Sequence, residues 1–284
     1  MNKKIFKASA TACAVALLTA CGGGGGSSSS GNTMSLGGSA VKGPLANALA
    51  EVYSADPSAD SLQGTLIQSG STSAEAAFSG INLDPTDAPF LLVVTADSDT
   101  VDITTGEAPV ITRLSTIITQ SALENGTPIY ATPLTSMAVQ VASTKDDLSA
   151  DNLQSQLTSA QNQVKTTLGF GLDETIDIFT TPPLLTDETD TLEEQEATAE
   201  YRLAIEALSA VIVDIAEETN EIDDTPVDVL AALAEDLSDG ELDGMTGGDA
   251  VSVLDGYDVS TLDDIDLNTL TTQVSEFILP EIRG

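Results

Sequence analysis

The chain has 284 residues, 45 of them acidic against nine basic, and no histidine, for a net charge of −36. So acidic a body will not bind nucleic acid or an anionic membrane face, because phosphate contacts need Lys and Arg. Without histidine there is no Ser-His-Asp or Cys-His nucleophile, and the commonest ligand of zinc, copper and iron is missing.

The chain opens with the three parts of a secretory signal. Lys3, Lys4 and Lys7 give a positive start, Ala8 to Leu17 is apolar, and Leu18-Thr19-Ala20-Cys21 closes it. The apolar run is far shorter than the ~20 residues a spanning helix needs, so export is expected rather than a membrane span. The closing four residues resemble the lipobox of bacterial lipoproteins, which implies cleavage before Cys21 and lipid on its sulfur. Cys13 leaves with the signal, so Cys21 stays as the one cysteine and no internal disulfide can form. Stable anchoring needs more than one acyl chain, which diacylation or triacylation supplies. Gly22 is not the Asp that resembles an inner-membrane retention signal, so the outer membrane is the expected destination, with the inner membrane as the alternative.

Removing the three signal lysines from the nine basic residues leaves six against 45 acids, a net of −39. Basic partners and divalent cations stay open. The plainer expectation is solubility in a salty medium, where screening removes self-repulsion. Gly22 to Gly31 (GGGGGSSSSG) has no side chains to bury and reads as a flexible tether with a mean reach under ~20 Å.

Strand signals follow from about Ser39. Ala40 to Lys42 and Ala48 to Tyr53 flank the turn-rich Gly43-Pro44-Leu45-Ala46-Asn47; Thr65 to Gln68 and Ala76 to Phe78 come next. Phe90 to Val94 is continuously apolar, as a strand buried on both faces must be. Val110 to Ile118 is a further strand region. The whole resembles a small β-sandwich of the prealbumin or carboxypeptidase-regulatory type.

After Thr132 the period becomes helical. Thr132-Pro133 caps one helix, and Leu153, Leu157, Ala160, Val164 and Leu168 mark a second, stopped by Gly169. Leu192 to Thr219 forms the third. Thr191 and Glu194 make its capping box, and Tyr201, Ile205, Leu208, Ile212 and Ile215 its apolar face. Thr225-Pro226 starts a fourth with Val227, Leu230, Ala234 and Leu237; a last one after Asp266 carries Leu267, Leu270, Val274 and Ile278. The expected class is α+β: a signal over 1–20, a lipidated tether over 21–38, a β-sandwich over 39–125 and a helical domain over 126–284.

Three segments carry a family resemblance. Ala40-Val41-Lys42-Gly43-Pro44-Leu45 with Ala50 to Tyr53, then Tyr130-Ala131-Thr132-Pro133-Leu134-Thr135 with Ser136-Met137-Ala138, then Leu237 to Gly244 occur in that order. Together they resemble a family of predicted lipoproteins and surface proteins of marine and metal-respiring Gram-negative bacteria. The resemblance implies architecture and location, and supplies no catalytic residue.

Chemistry is sparse. With Cys21 lipidated no thiolate remains, and the glycine run precedes no strand-to-helix turn that could cradle phosphate. Carboxylate pairs could serve a hydrolase, but 45 acids make chance pairs inevitable, and 4% aromatics argue against a sugar cleft. Calcium wants oxygen ligands, and two clusters offer them: Asp97, Asp99 and Asp102, and Asp236, Asp239, Glu241 and Asp243. The first lacks the glycine and final Glu of an EF-hand loop. Turns on an acidic surface would read the same way.

The functional expectation is a non-catalytic accessory or binding protein at the cell envelope, without a cofactor. It is held to the membrane by lipid and assists uptake of hydrophobic substrates such as alkanes or fatty acids, alongside an outer-membrane protein. A helical bundle opening into a groove would need the same residue types as a closed core. The alternatives are a calcium-dependent adhesin or structural surface protein, and a carboxylate-dependent hydrolase.

Overall fold

The computed structural model describes residues 33–186, 189–218 and 225–264. Its strands run β1 (Met34–Ser35), β2 (Gly38–Ala40), β3 (Leu45–Ala46), β4 (Leu49–Ala55), β5 (Gln63–Thr72), β6 (Phe78–Ser79) and β7 (Asn82–Leu83). They continue as β8 (Phe90–Thr95), β9 (Val101–Asp102), β10 (Arg113–Ile118), β11 (Ile129–Ala131), β12 (Met245–Thr246) and β13 (Asp249–Ala250). The helices are α1 (Gln120–Asn125), α2 (Pro133–Ser143), α3 (Leu153–Leu168), α4 (Leu192–Glu218) and α5 (Pro226–Asp236).

The apolar run Phe90 to Val94 is buried throughout, and it is central for that reason. It lies in β8, between β4 and β10, in an antiparallel sheet of order β10-β8-β4-β5-β6. Most expected strands are present with shifted ends: the region from Val110 becomes a strand only at Arg113 and the one from Ala76 only at Phe78, while of Ala40 to Lys42 only Ala40 lies in a strand, β2 running back to Gly38. Short pairs β1–β7 and β3–β9 accompany the sheet. The architecture is α+β, a strand-rich N-terminal region followed by a mainly helical one that ends on the short pair β12–β13.

One strand has no counterpart in the sequence reading. β11 pairs in parallel with β2, setting Tyr130 against Ser39 and Ala131 against Ala40. Val41 N–H adds a bond to the Ala131 carbonyl at 2.8 Å. The segments around Ala40 and Tyr130, the first two of the three singled out in the sequence, are therefore neighbours. Three residues are too few to display an alternation, which is why β11 is silent in the sequence.

The second motif continues into α2, where every residue but Gln140 and Ser143 is buried. A helix apolar all round must be enclosed, and α2 packs against α3, α4, α5 and β10. Its N-terminal hydroxyls also close the free edge of the sheet. Ser115 N–H donates to Ser136 Oγ at 2.7 Å, and Thr135 Oγ donates to the Ser115 carbonyl at 2.8 Å. An edge closed in this way cannot recruit another strand there. Through α2, the strand and helical regions share one core from Leu36 to Leu262, continuous across residues 125 and 126.

The other helices obey their caps. Thr191 Oγ accepts the Glu194 N–H at 3.2 Å while Glu194 accepts the Thr191 N–H at 2.9 Å, so α4 starts on its capping box. Thr225 and Asp228 make the same reciprocal pair for α5. The five apolar residues of α4 singled out by spacing are all buried, as are those of α3. Among the described residues no helix is long and apolar enough to cross a membrane. Cys21, the signal, the tether and the helix expected after Asp266 lie outside the described residues.

Candidate functional site

The two acidic clusters close turns. Asp97 Oδ1 accepts the Asp99 N–H at 2.8 Å and the Thr100 hydroxyl at 3.3 Å. Asp102 turns the other way: it is buried, and its Oδ1 accepts the Thr104 N–H at 2.9 Å. Its carboxylate lies where a side chain on Gly43 would collide with it, so the glycine of the first motif is required by close approach. In the second cluster Asp236 is wholly buried. Its carboxylate accepts the N–H groups of Asp243 at 3.2 Å, Gly244 at 3.0 Å and Met245 at 3.0 Å. Burial still pushes its carboxyl above the usual range, against the lowering effect of those amides. Asp239 accepts the Glu241 N–H at 3.2 Å, and Asp243 that of Met245 at 3.0 Å. Among the described residues no three acids gather as ligands around one point. Of the expected calcium ligands, Asp97, Asp102, Asp236, Asp239 and Asp243 each accept a nearby backbone N–H, while Asp99 and Glu241 sit in the same turns as donors of theirs.

The few cations hold elements together. Glu206 on α4 bridges Lys42 of the first motif, at 3.1 Å, and Arg202 one turn back, at 2.7 Å. Lys145 donates to the Ser238 carbonyl at 2.6 Å, joining the end of α2 to the third motif. Gln163 of α3 donates to the Leu237 carbonyl beside it. Lys165, almost fully buried, donates to the carbonyls of Glu174 and Ile176, each at 2.7 Å. The motifs behind the family resemblance are thus the places where distant segments are fastened.

An open groove lies where β10 ends and α1 and α3 approach. Two adjoining chambers of about 410 and 340 Å³ share Ile117, Thr119, Ser121, Gln154 and Leu157. Both volumes are in the ~300–1,000 Å³ range of small-molecule sites. The inner chamber adds Ala122, Ile129 and Phe179 to the apolar floor. Hydroxyls and amides line the remainder, and the charged residues of the lining are Glu124 in the outer chamber and Asp177 in the inner. Each chamber thus carries one acid and no lining cation, a sparse charge for a chain of net −36.

Gln161 forms part of the inner wall. It is 9% exposed, and its Oε1 accepts the Ile178 N–H at 3.1 Å. The groove leaves little trace in the sequence, because its lining comes from segments spread between Ala88 and Thr180. One signal was present: α3 carries no acidic residue in 16, in a chain that holds 45. Gln154, Thr158 and Gln161 recur beside Leu153 and Leu157, giving a neutral polar stripe along an apolar one.

No family model, no curated protein and no solved structure matches this chain.

Proposed function

We propose that this chain is a lipoprotein of the bacterial cell envelope, anchored by lipid on Cys21, that holds a hydrophobic ligand in the groove between α3 and the end of β10. The observation that carries the reading is the groove itself: an apolar floor of Ile117, Leu157 and Phe179 under a rim mostly of hydroxyls and amides, with one acid in each chamber, on a strongly acidic body. Water is the weaker competitor for such a floor, since burying apolar surface yields ~25 cal/mol per Å². The role is non-catalytic: delivery or retention of a ligand such as an alkane or a fatty acid derivative beside an outer-membrane protein. The Gly22 to Gly31 tether suits a body working within ~20 Å of its anchor.

Two experiments test it. Cys21→Ser should move the protein from the detergent phase to the aqueous phase; unchanged partitioning would place the anchor elsewhere. A deletion strain should grow normally on a soluble carbon source and poorly on a hydrophobic one. Equal growth on both would remove the uptake role.

A further inference from the structure

We propose that the ligand is an uncharged alkyl chain bearing a hydrogen-bond acceptor, an ester, amide or hydroxyl oxygen, and that the side-chain amide of Gln161 donates to it. This rests on the reading of the groove as a ligand site and names the chemistry it selects.

Gln161 has an acceptor end and a donor end, and the Ile178 N–H can bond only to the acceptor. That bond fixes which end is oxygen and holds the amide plane, leaving Nε2 as a placed donor. Among the described residues Nε2 has no hydrogen-bond partner, and the side chain is nine-tenths buried in the wall of the inner chamber. Nε2 itself is not sealed in protein but reaches the chamber, so a ligand that displaces water from it must offer an acceptor or leave it unpaired at a cost of ~1–3 kcal/mol. The same chamber offers Ile117, Ala122, Leu157 and Phe179 to an alkyl chain.

Charge then narrows the class. An ionised carboxylate would meet no cation in either chamber, and it would lie near Asp177 or Glu124. An ammonium group has no lone pair for Nε2 to donate to. A plain alkane fills the floor but leaves the donor unpaired. A neutral chain with an acceptor satisfies both, and a site built to pair a polar group rejects analogues lacking it.

The test is calorimetric titration of the purified chain with methyl octanoate, octane and octanoate. The ester should bind at least about tenfold more tightly than either of the others, since one restored hydrogen bond is worth about 1.4 kcal/mol. Gln161→Glu keeps an acceptor for Ile178 and loses the donor, so the ester's advantage over the alkane should disappear. Gln154→Trp, on the exposed face of α3, should block all three without touching the core. Equal affinity for ester and alkane in the unaltered chain, or an ester preference that survives either substitution, overturns the assignment of Gln161 while leaving a hydrophobic ligand in place. Binding of none of the three overturns the ligand-binding reading as well.

Discussion

Thr132 and Tyr201 lie 69 positions apart in the chain, and their side-chain oxygens are 2.9 Å from each other in the core. The Tyr201 hydroxyl proton goes to the Ile178 carbonyl at 2.8 Å, so Thr132 is the donor to Tyr201. Thr132 Oγ also accepts the Thr135 N–H at 3.1 Å as the cap of α2. One phenol therefore ties α2, α4 and the segment that carries the groove wall. Burial holds its hydroxyl protonated far into the alkaline range.

Tyr201→Phe removes only the oxygen, which takes the donor from the Ile178 carbonyl and leaves the Thr132 hydroxyl proton only the long 3.4 Å bond to Thr135 Oγ. The expected loss is about 2 kcal/mol of unfolding free energy, read from urea denaturation with an unchanged slope. A variant within about 0.5 kcal/mol of the parent would show that this junction does not hold the segments together.

Glu206→Gln tests the bridge between the first motif and α4. The Glu206 side chain is 14% exposed and faces two cations, Lys42 and Arg202. The cost should lie between the ~1 kcal/mol ceiling of exposed pairs and the ~3–5 kcal/mol of breaking a buried one. Because these groups are largely shielded, the gap from the parent should persist in concentrated salt. A gap that closes with salt would mark the bridge as a surface feature.

The pH dependence has two arms. Hydrogen bonds from Ser58, Thr86, Thr175 and Thr225 hold Asp56, Asp84, Asp173 and Asp228 below the usual carboxylate range, and the Thr191 N–H does so for Glu194. Their folded pKa values are lower than their unfolded ones, so the unfolded chain binds protons more readily. Their contribution is present above the ordinary carboxylate range and is lost as pH falls through the depressed values. Asp236 has the opposite sign: its folded pKa is raised, so its contribution is full below the ordinary Asp value and is lost as pH rises through the folded one. Self-repulsion among 45 acids also eases on mild acidification. Thermal unfolding should therefore be most resisted near about pH 5 and weaken on both sides, with Asp228→Asn softening the acid arm. A melting temperature that keeps rising to about pH 3 would contradict this assignment.

Much of the helical half is legible in the sequence, because caps and apolar spacing are local properties. Thr132-Pro133, the Thr191–Glu194 pair and the Leu153 to Leu168 stripe each need only neighbouring residues to be read. The Phe90 to Val94 run likewise announces a strand covered on both faces. What stays silent depends on partners far away. β11 exists because β2 is there to receive it, and the enclosure of α2 requires four other elements. The acids around Asp97 and Asp239 share a stretch of chain, but side-chain direction within a turn is set by which amide lies nearest. The groove is silent for the same reason: Ile117, Leu157 and Phe179 meet only after folding, and only the acid-free face of α3 betrays it beforehand.

The most direct test of the groove as a ligand carrier is growth of a strain whose sole copy of the gene bears Gln154→Trp. Gln154 lines both chambers from the exposed face of α3, so the substitution fills the groove while the core stays intact. The account predicts normal protein level and normal growth on a soluble carbon source, with growth on a hydrophobic one reduced to that of the deletion strain. Growth equal to the parent strain on both sources would contradict it.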